Sequence, residues 1–290
     1  MSINNFIPEV WSTTLLRQLH KKLVFAQPAV CNRNYEGDIK DKGDVVRISA
    51  IGPINTYNYQ KNTDIQSPDA LTDEQTTLPI SQAKYFNFSV SDLDKVQQQP
   101  KVMEEAMGEA AYSIMNQEDQ YVAGLYTDVS VNNKLGTDGA PKTLTLVTDL
   151  YPLIVGLKVA LDQANVDTDA RWCIVPPWCE GVLLQDDRFV RQYDASVALG
   201  ALQNGRIAKA AGFDIYLSNN VTYTGTQATG NYRIMAGYPG AITFAEQLVK
   251  TEAYRPPNRF DDAVKGLAVY GARVVRPSGL ALLTLTRNLA

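Results

Sequence analysis

Apolar and polar positions alternate with two different periods along the first half of the chain. Leu15, Leu16, Leu19, Leu23 and Val24 recur at helical spacing, with Arg17, Lys21 and Lys22 off that stripe. Thr13 or Thr14 is placed to cap the start, and Pro28 stops the helix. So short a helix beside a terminus is marginal alone and needs a second surface. After the turn signal Gly43-Asp44, Val46, Ile48 and Ala50 alternate with Arg47, Ser49 and Ile51, which predicts a strand ended by Gly52-Pro53. Residues 54–75 are mostly polar, with Tyr57 and Tyr59 on either side of Asn58. That excursion is long for a loop in a compact domain, and a two-stranded flap would satisfy its backbone groups. Leu78 and Ile80, then Phe86, Phe88 and Val90, return as alternating strand.

Pro100 suits the first turn of a helix. Met103, Met107, Ala110 or Ala111, Ile114, Tyr121, Val122 and Leu125 then keep 3.6-residue spacing. Glu104, Glu105, Glu109, Gln117, Glu118 and Asp119 take much of the remaining surface. From Pro100 to Tyr126 this is a helix of roughly 40 Å, a plain core helix or a spine on which other parts hang.

The second half reads as α/β. Helices are predicted from Asp149 to Ala164 and from Glu180 to Leu184, and a short buried strand from Trp172 to Val175. Residues 204–208 and 213–217 read as strand–turn–strand about Ala211-Gly212, and 221–231 as a mobile hairpin tip. Residues 241–245 form a strand. Residues 266–286 form two more, divided by Arg276-Pro277-Ser278-Gly279.

With 290 residues, 45% of them apolar, the chain has enough for a sizeable core in one large domain or two smaller ones. Its net charge of −4 argues against strong sequence-independent nucleic-acid binding. The charge is uneven. Residues 48–130 carry 4 Lys/Arg against 12 Asp/Glu, while the segments on either side are each slightly basic. Such an acidic middle is either a solvated face or a surface that favours contact between copies. Cys31, Cys173 and Cys179 are too few and too scattered for a disulfide framework, and read as buried apolar residues in a reducing compartment. Met1-Ser2-Ile3-Asn4-Asn5 shows no signal peptide, and no apolar run approaches a membrane span.

Catalytic motifs are missing. His20 is the one histidine, on the amphipathic segment, with no serine or acid placed beside it. There is no GxGxxG, GxxxxGK[ST] or HExxH. The carboxylate pairs Asp92/Asp94 and Asp186/Asp187 fit a cap and a turn, and Asp261-Asp262 near Arg259 a surface ion cluster.

Several ordered segments resemble one family. They are Ile7-Pro8-Glu9-Val10-Trp11-Ser12, Asn34-Tyr35-Glu36-Gly37-Asp38-Ile39-Lys40 and Gly43-Asp44-Val45-Val46. Tyr85-Phe86-Asn87-Phe88-Ser89-Val90-Ser91-Asp92-Leu93-Asp94 and Tyr270-Gly271-Ala272-Arg273-Val274-Val275-Arg276-Pro277 complete the set. In this order they resemble the major capsid proteins of tailed bacteriophages with the Hong Kong 97 fold, over nearly the whole chain.

The resemblance implies an α+β fold. Residues 1–43 would be an N-terminal arm and 44–90 an extended β-hairpin loop lying over a neighbour. Residues 91–136 and 251–290 would be a peripheral domain with a spine helix, its sheet completed by 266–286. Residues 137–250 would be an α/β axial domain. It implies assembly contacts by Trp11, Leu15, Leu19 and Leu23 of the arm and Tyr57, Tyr59 and Lys61 of the loop; no cross-link acceptor for Lys61 is identified. It implies self-association in pentamers and hexamers, and packaged double-stranded DNA on the inner surface. Portal and decoration proteins are further implied partners, as is a separate scaffolding protein, because the chain starts directly with the arm. No cofactor, catalysis or membrane is implied, and the expected place is the virion after synthesis in host cytoplasm. Two other readings stand beside it: the shell protein of an encapsulin-like cellular nanocompartment, and an α/β enzyme with an unusual lid.

Overall fold

The computed structural model describes residues 24–34, 45–51, 56–59, 61–62, 64, 67, 73–91, 102–186, 209–227, 229–258 and 261–287. The amphipathic segment with Trp11, Leu15, Leu19, His20 and Leu23 lies outside the described residues, as do Asp92, Asp94, Asp187, Arg259 and residues 204–208.

The flap is a two-stranded antiparallel hairpin. Strand β1 (Val45–Ile51) pairs with β2 (Asp73–Pro79), with Val45 opposite Pro79 and Ile51 opposite Asp73. Next, β3 (Gln82–Ser91) joins β11 (Ile242–Tyr254) and β12 (Asp261–Val274) in an antiparallel sheet of order β11-β12-β3. β11 is longer than the strand read at 241–245. Its charged residues, Glu246, Lys250 and Glu252, hide the continuation from a hydrophobic pattern.

Helix α1 (Val102–Ala123) covers one face of this sheet. Met107, Ala111, Ile114, Met115 and Val122 are buried in the same core as Val264, Ala268, Tyr270 and Ala272 of β12. At 22 residues the helix is about 33 Å long. It stops short of Tyr126 because the chain tightens into a 3₁₀ turn over Gly124–Asp128. Glu118 and Asp119, read as solvent-facing, are buried.

The second sheet is larger. Its main path is β4 (Lys134–Leu135), β13 (Leu280–Arg287), β10 (Asn231–Gly237), β6 (Trp172–Val175), β8 (Phe213–Leu217) and β7 (Lys209–Ala210). β5 (Lys142–Leu144) also pairs with β13, and β9 (Tyr223–Thr224) with β10. Cys173, Val175, Ile234, Ala236, Leu283 and Leu285 face a core with α2 (Leu150–Gln163) and α3 (Pro177–Leu183). Trp172, Ile174, Met235, Leu280 and Leu282 point the other way, into the core that holds Val122 and Ala123 of α1. Burial on both faces explains why β6 and most of β13 are apolar without alternation.

Strand pairing also overturns one expectation. The last two strands do not complete one sheet: β12 pairs with β3 and β11, while β13 pairs with β10 of the large sheet. β7 and β8 meet at Ala211-Gly212, where both residues have positive φ, the geometry of a two-residue hairpin turn. All three cysteines are free and buried, and burial pushes the Cys173 thiol up to about 12. Asp186, read as a turn carboxylate, is buried as well.

Candidate assembly site: the hairpin root and the arm root

Among the described residues, the hairpin is held at its base. Val46, Ile48, Leu78 and Ile80 form a small apolar cluster with Ala245 of β11 and Val269 of β12. Period-2 alternation puts these four side chains on one side, while Arg47 faces out. The hairpin therefore sits on the sheet face opposite α1. Gly271 of β12 permits the close approach: a Cβ there would lie 2.4 Å from the Pro79 carbonyl oxygen and 3.0 Å from Ile80 Cα. Arg273 Nη1 donates to the Thr77 carbonyl oxygen at 2.7 Å.

Beyond the base, the described residues between Thr56 and Ser67 are all exposed. Tyr57 is 55% exposed and Tyr59 77% exposed, and Lys61 is exposed beside Asn62 at φ 66. Large exposed aromatic side chains are poorly used by a lone domain and well placed to meet another surface. Tyr85 on β3, 78% exposed, adds a further aromatic near the base.

The arm root is fastened by burial and by hydrogen bonds. Phe25, Ala26, Val30 and Cys31 are buried in the core shared with α1. Asp119 Oδ1 of α1 accepts from the Val24 and Phe25 backbone N–H groups, at 3.0 and 2.9 Å. Its Oδ2 accepts from Asn220 Nδ2 at 3.2 Å. One carboxylate thus ties the arm root, the long helix and the loop after β8. Asn32 exchanges hydrogen bonds with β11, donating to Ile242 O at 2.8 Å and accepting from Phe244 N at 3.0 Å. Arg33 pairs with Glu246 of β11, donates to Ala26 O at 3.2 Å, and lies 5.3 Å from the centre of the Phe244 ring. Glu118 hydrogen-bonds Glu246. Burial first, then the Glu246 charge, raises its carboxyl well above the ordinary range.

The tip at the far end of the large sheet is internally braced. Gly230 N donates to Thr226 O at 2.7 Å, and Tyr232 Oη donates to Gln227 O at 2.7 Å. Arg233 of β10 pairs with Asp138 at 2.9 Å and stacks 4.6 Å from the Tyr126 ring.

Tyr57, Tyr59 and Lys61 are all exposed between β1 and β2, whereas the arm residues Trp11, Leu15, Leu19 and Leu23 lie outside the described residues. Sequence reasoning missed Glu118, Asp119, Arg33 and Glu246. The available signal was spacing: Glu118 and Asp119 each fall four residues after an apolar residue of the inward stripe, Ile114 and Met115. Among the described residues, no helix is long and apolar enough to cross a membrane.

A long helix on one face of a three-stranded sheet, a hairpin on the other, and a separate mixed sheet define a shell subunit of the Hong Kong 97 type. The chain belongs to the phage capsid protein family, whose pattern matches residues 74–283, and it is a major capsid subunit that self-assembles into the shell. A solved structure from Mycobacterium phage Che8 is 29% identical to the chain. It covers 99% of this chain and 98% of its own, with a TM-score of 0.70. The capsid of the cyanophage P-SCSP1u is 18% identical over 87% of this chain and 85% of its own, TM-score 0.68. The capsid of Ralstonia phage GP4 is 11% identical over 91% and 88%, also TM-score 0.68. No curated protein sequence matches the chain.

Proposed function

We propose that this subunit closes its shell by laying the 44–90 loop, with Tyr57, Tyr59 and Lys61, over a neighbouring copy, and by reaching another copy with the 1–43 arm. The observation that carries this reading is the hairpin itself, packed at its base and exposed beyond it. Residues 91–136 and 251–279 serve as the peripheral unit and 137–250 as the axial unit around the symmetry axes. The pairing of β13 with β10 supports adding 280–287 to the axial unit. Pentamers and hexamers are built from the same fold, and the loop and arm absorb the difference in angle. A separate scaffolding protein guides assembly, portal and decoration proteins complete the head, and double-stranded DNA fills the interior. The role is structural and not catalytic. Synthesis is in the host cytoplasm, and the finished place is the virion.

Limited proteolysis tests the loop contact. Trypsin cuts at Lys61 in free subunits and is blocked there after assembly. Equal cleavage in both states contradicts the proposal.

A further inference from the structure

We propose that Glu118, Glu246 and Arg33 form a proton-controlled latch that holds the arm root on the long helix, closed while Glu118 keeps its proton and opened when the proton leaves. The groups come from three elements. Glu118 is on α1, Glu246 on β11 and Arg33 on the arm root. Arg33 and Glu246 are an ion pair with side chains 8% and 7% exposed, so one carboxylate is already matched by one guanidinium. Glu118 is the second carboxyl at that pair, and it is 1% exposed.

A neutral Glu118 solves the local charge problem. Its O–H donates to the Glu246 carboxylate, which in turn accepts from Arg33. An ionised Glu118 cannot donate. Among the described residues it would leave two carboxylates against one cation, with Asp119 next along the helix already committed to the Val24 and Phe25 amides. Tyr270 on β12 faces Glu118 with a phenol held neutral by burial, and Tyr121 packs against Tyr270, so neither adds positive charge. Among the described residues, no third group donates to Glu118 Oε2 or Glu246 Oε2, both of them buried, so none of these residues solvates an added charge. Burial is also the largest cause of the raised Glu118 carboxyl.

The relief available is for water to enter, and the arm root is the element that can yield. Within the described residues 24–34 it meets β11 through an isolated bridge at Asn32, whereas α1 keeps its helical bonding and β11 and β12 pair along most of their lengths over a shared core. Opening releases one proton to solvent and needs no other reactant. Linkage then gives the sign. The closed state binds the proton more tightly than the open state, so closure is favoured in acid and lost as pH rises through the raised Glu118 value. The opening constant grows about tenfold per pH unit in that window.

Cys31 reports the motion. It is buried in the arm root, donating its S–H to Phe25 O at 3.0 Å. The experiment is maleimide labelling of the full-length protein from about pH 6 to about pH 8, with Cys31 located by peptide mass mapping and its rate divided by that of a free thiol peptide. The expected ratio climbs with pH in the wild type, by up to about tenfold per unit, and stays flat in Glu118→Gln. A ratio that is flat in the wild type overturns the latch, whatever the variant does. So does a parallel climb in both proteins. Should Glu118→Gln fail to fold, the wild-type ratio decides alone, and Glu246→Gln is the second variant: with its neighbour neutral, it too should lose the climb.

Discussion

Arg273 and Thr77 are joined by a 2.7 Å hydrogen bond from the guanidinium to the backbone carbonyl, which links the central strand of one sheet to the returning strand of the hairpin. Arg273 reaches Thr77 Oγ1 as well, at 3.2 Å. The contact lies at the base of the hairpin, where a small change in angle is magnified at Tyr59. Arg273→Ala should lower subunit stability by at most about 1 kcal/mol, since the bond is exposed. Its effect on assembly should be larger: a reduced yield of closed shells by sedimentation, with a nearly unchanged Tm.

Gly271 gives a stronger test of the same base. A Cβ there meets the Pro79 backbone oxygen at 2.4 Å, and backbone cannot swing aside as a side chain does. Gly271→Ala should destabilise the folded subunit by about 1–3 kcal/mol and loosen the hairpin. Thermal unfolding together with hydrogen exchange over 73–79 checks this. Unchanged protection there would show that the hairpin does not depend on the close approach.

Asp119 organises three segments, so its variants should differ sharply. Asp119→Ala leaves the buried Phe25 amide without an acceptor and should cost about 2–3 kcal/mol. Asp119→Asn keeps one carbonyl oxygen for Val24 and Phe25, and Asn220 can turn its own carbonyl toward the new amide. It should recover more than half of the loss in denaturant unfolding. Equal losses in both variants would mean that charge, not hydrogen bonding, fastens the arm root.

Much of the frame was legible because it obeys simple periodicity. Val46, Ile48, Leu78 and Ile80 alternate as a one-sided hairpin must, and Met107, Ala111, Ile114 and Val122 repeat as a one-sided helix must. What escaped was polar or apolar on both sides. Glu118 and Asp119 belong to residue types that normally face water, and only partners distant in sequence, Glu246 and Val24, account for their burial. β13 is apolar on both faces, so its pattern does not say which sheet it joins. The charge count shifts with these findings: of the 12 acids in residues 48–130, at least Glu118 and Asp119 are internal, so the acidic surface there is smaller than the sequence implies.

Glu118 also gives global stability a pH dependence. Its carboxyl is raised in the folded state, so stability is greatest below the unfolded value and falls as pH climbs through the raised one, by about 1.4 kcal/mol per unit. Glu118→Gln should match the wild type in acid and exceed it at about pH 8, as read from urea midpoints of dissociated subunits. A wild type that loses stability in acid over the carboxyl range, with no gain from the variant at higher pH, would contradict the assignment.

Truncation separates the arm from its root. Phe25 is buried in the core, so removing residues 1–25 should cost about 3–5 kcal/mol by loss of a large apolar side chain. Removing 1–23 spares Phe25 and should leave a folded subunit by circular dichroism while preventing closed shells. Normal shells from the shorter truncation would remove the arm from the account.

The central claim is that this chain is a self-assembling shell subunit, and negative-stain microscopy of the purified full-length protein, alone and with its phage partners, tests it most directly. The account predicts closed shells, with rings or tubes where closure fails. A stable monomer under every condition, with none of these, would contradict it.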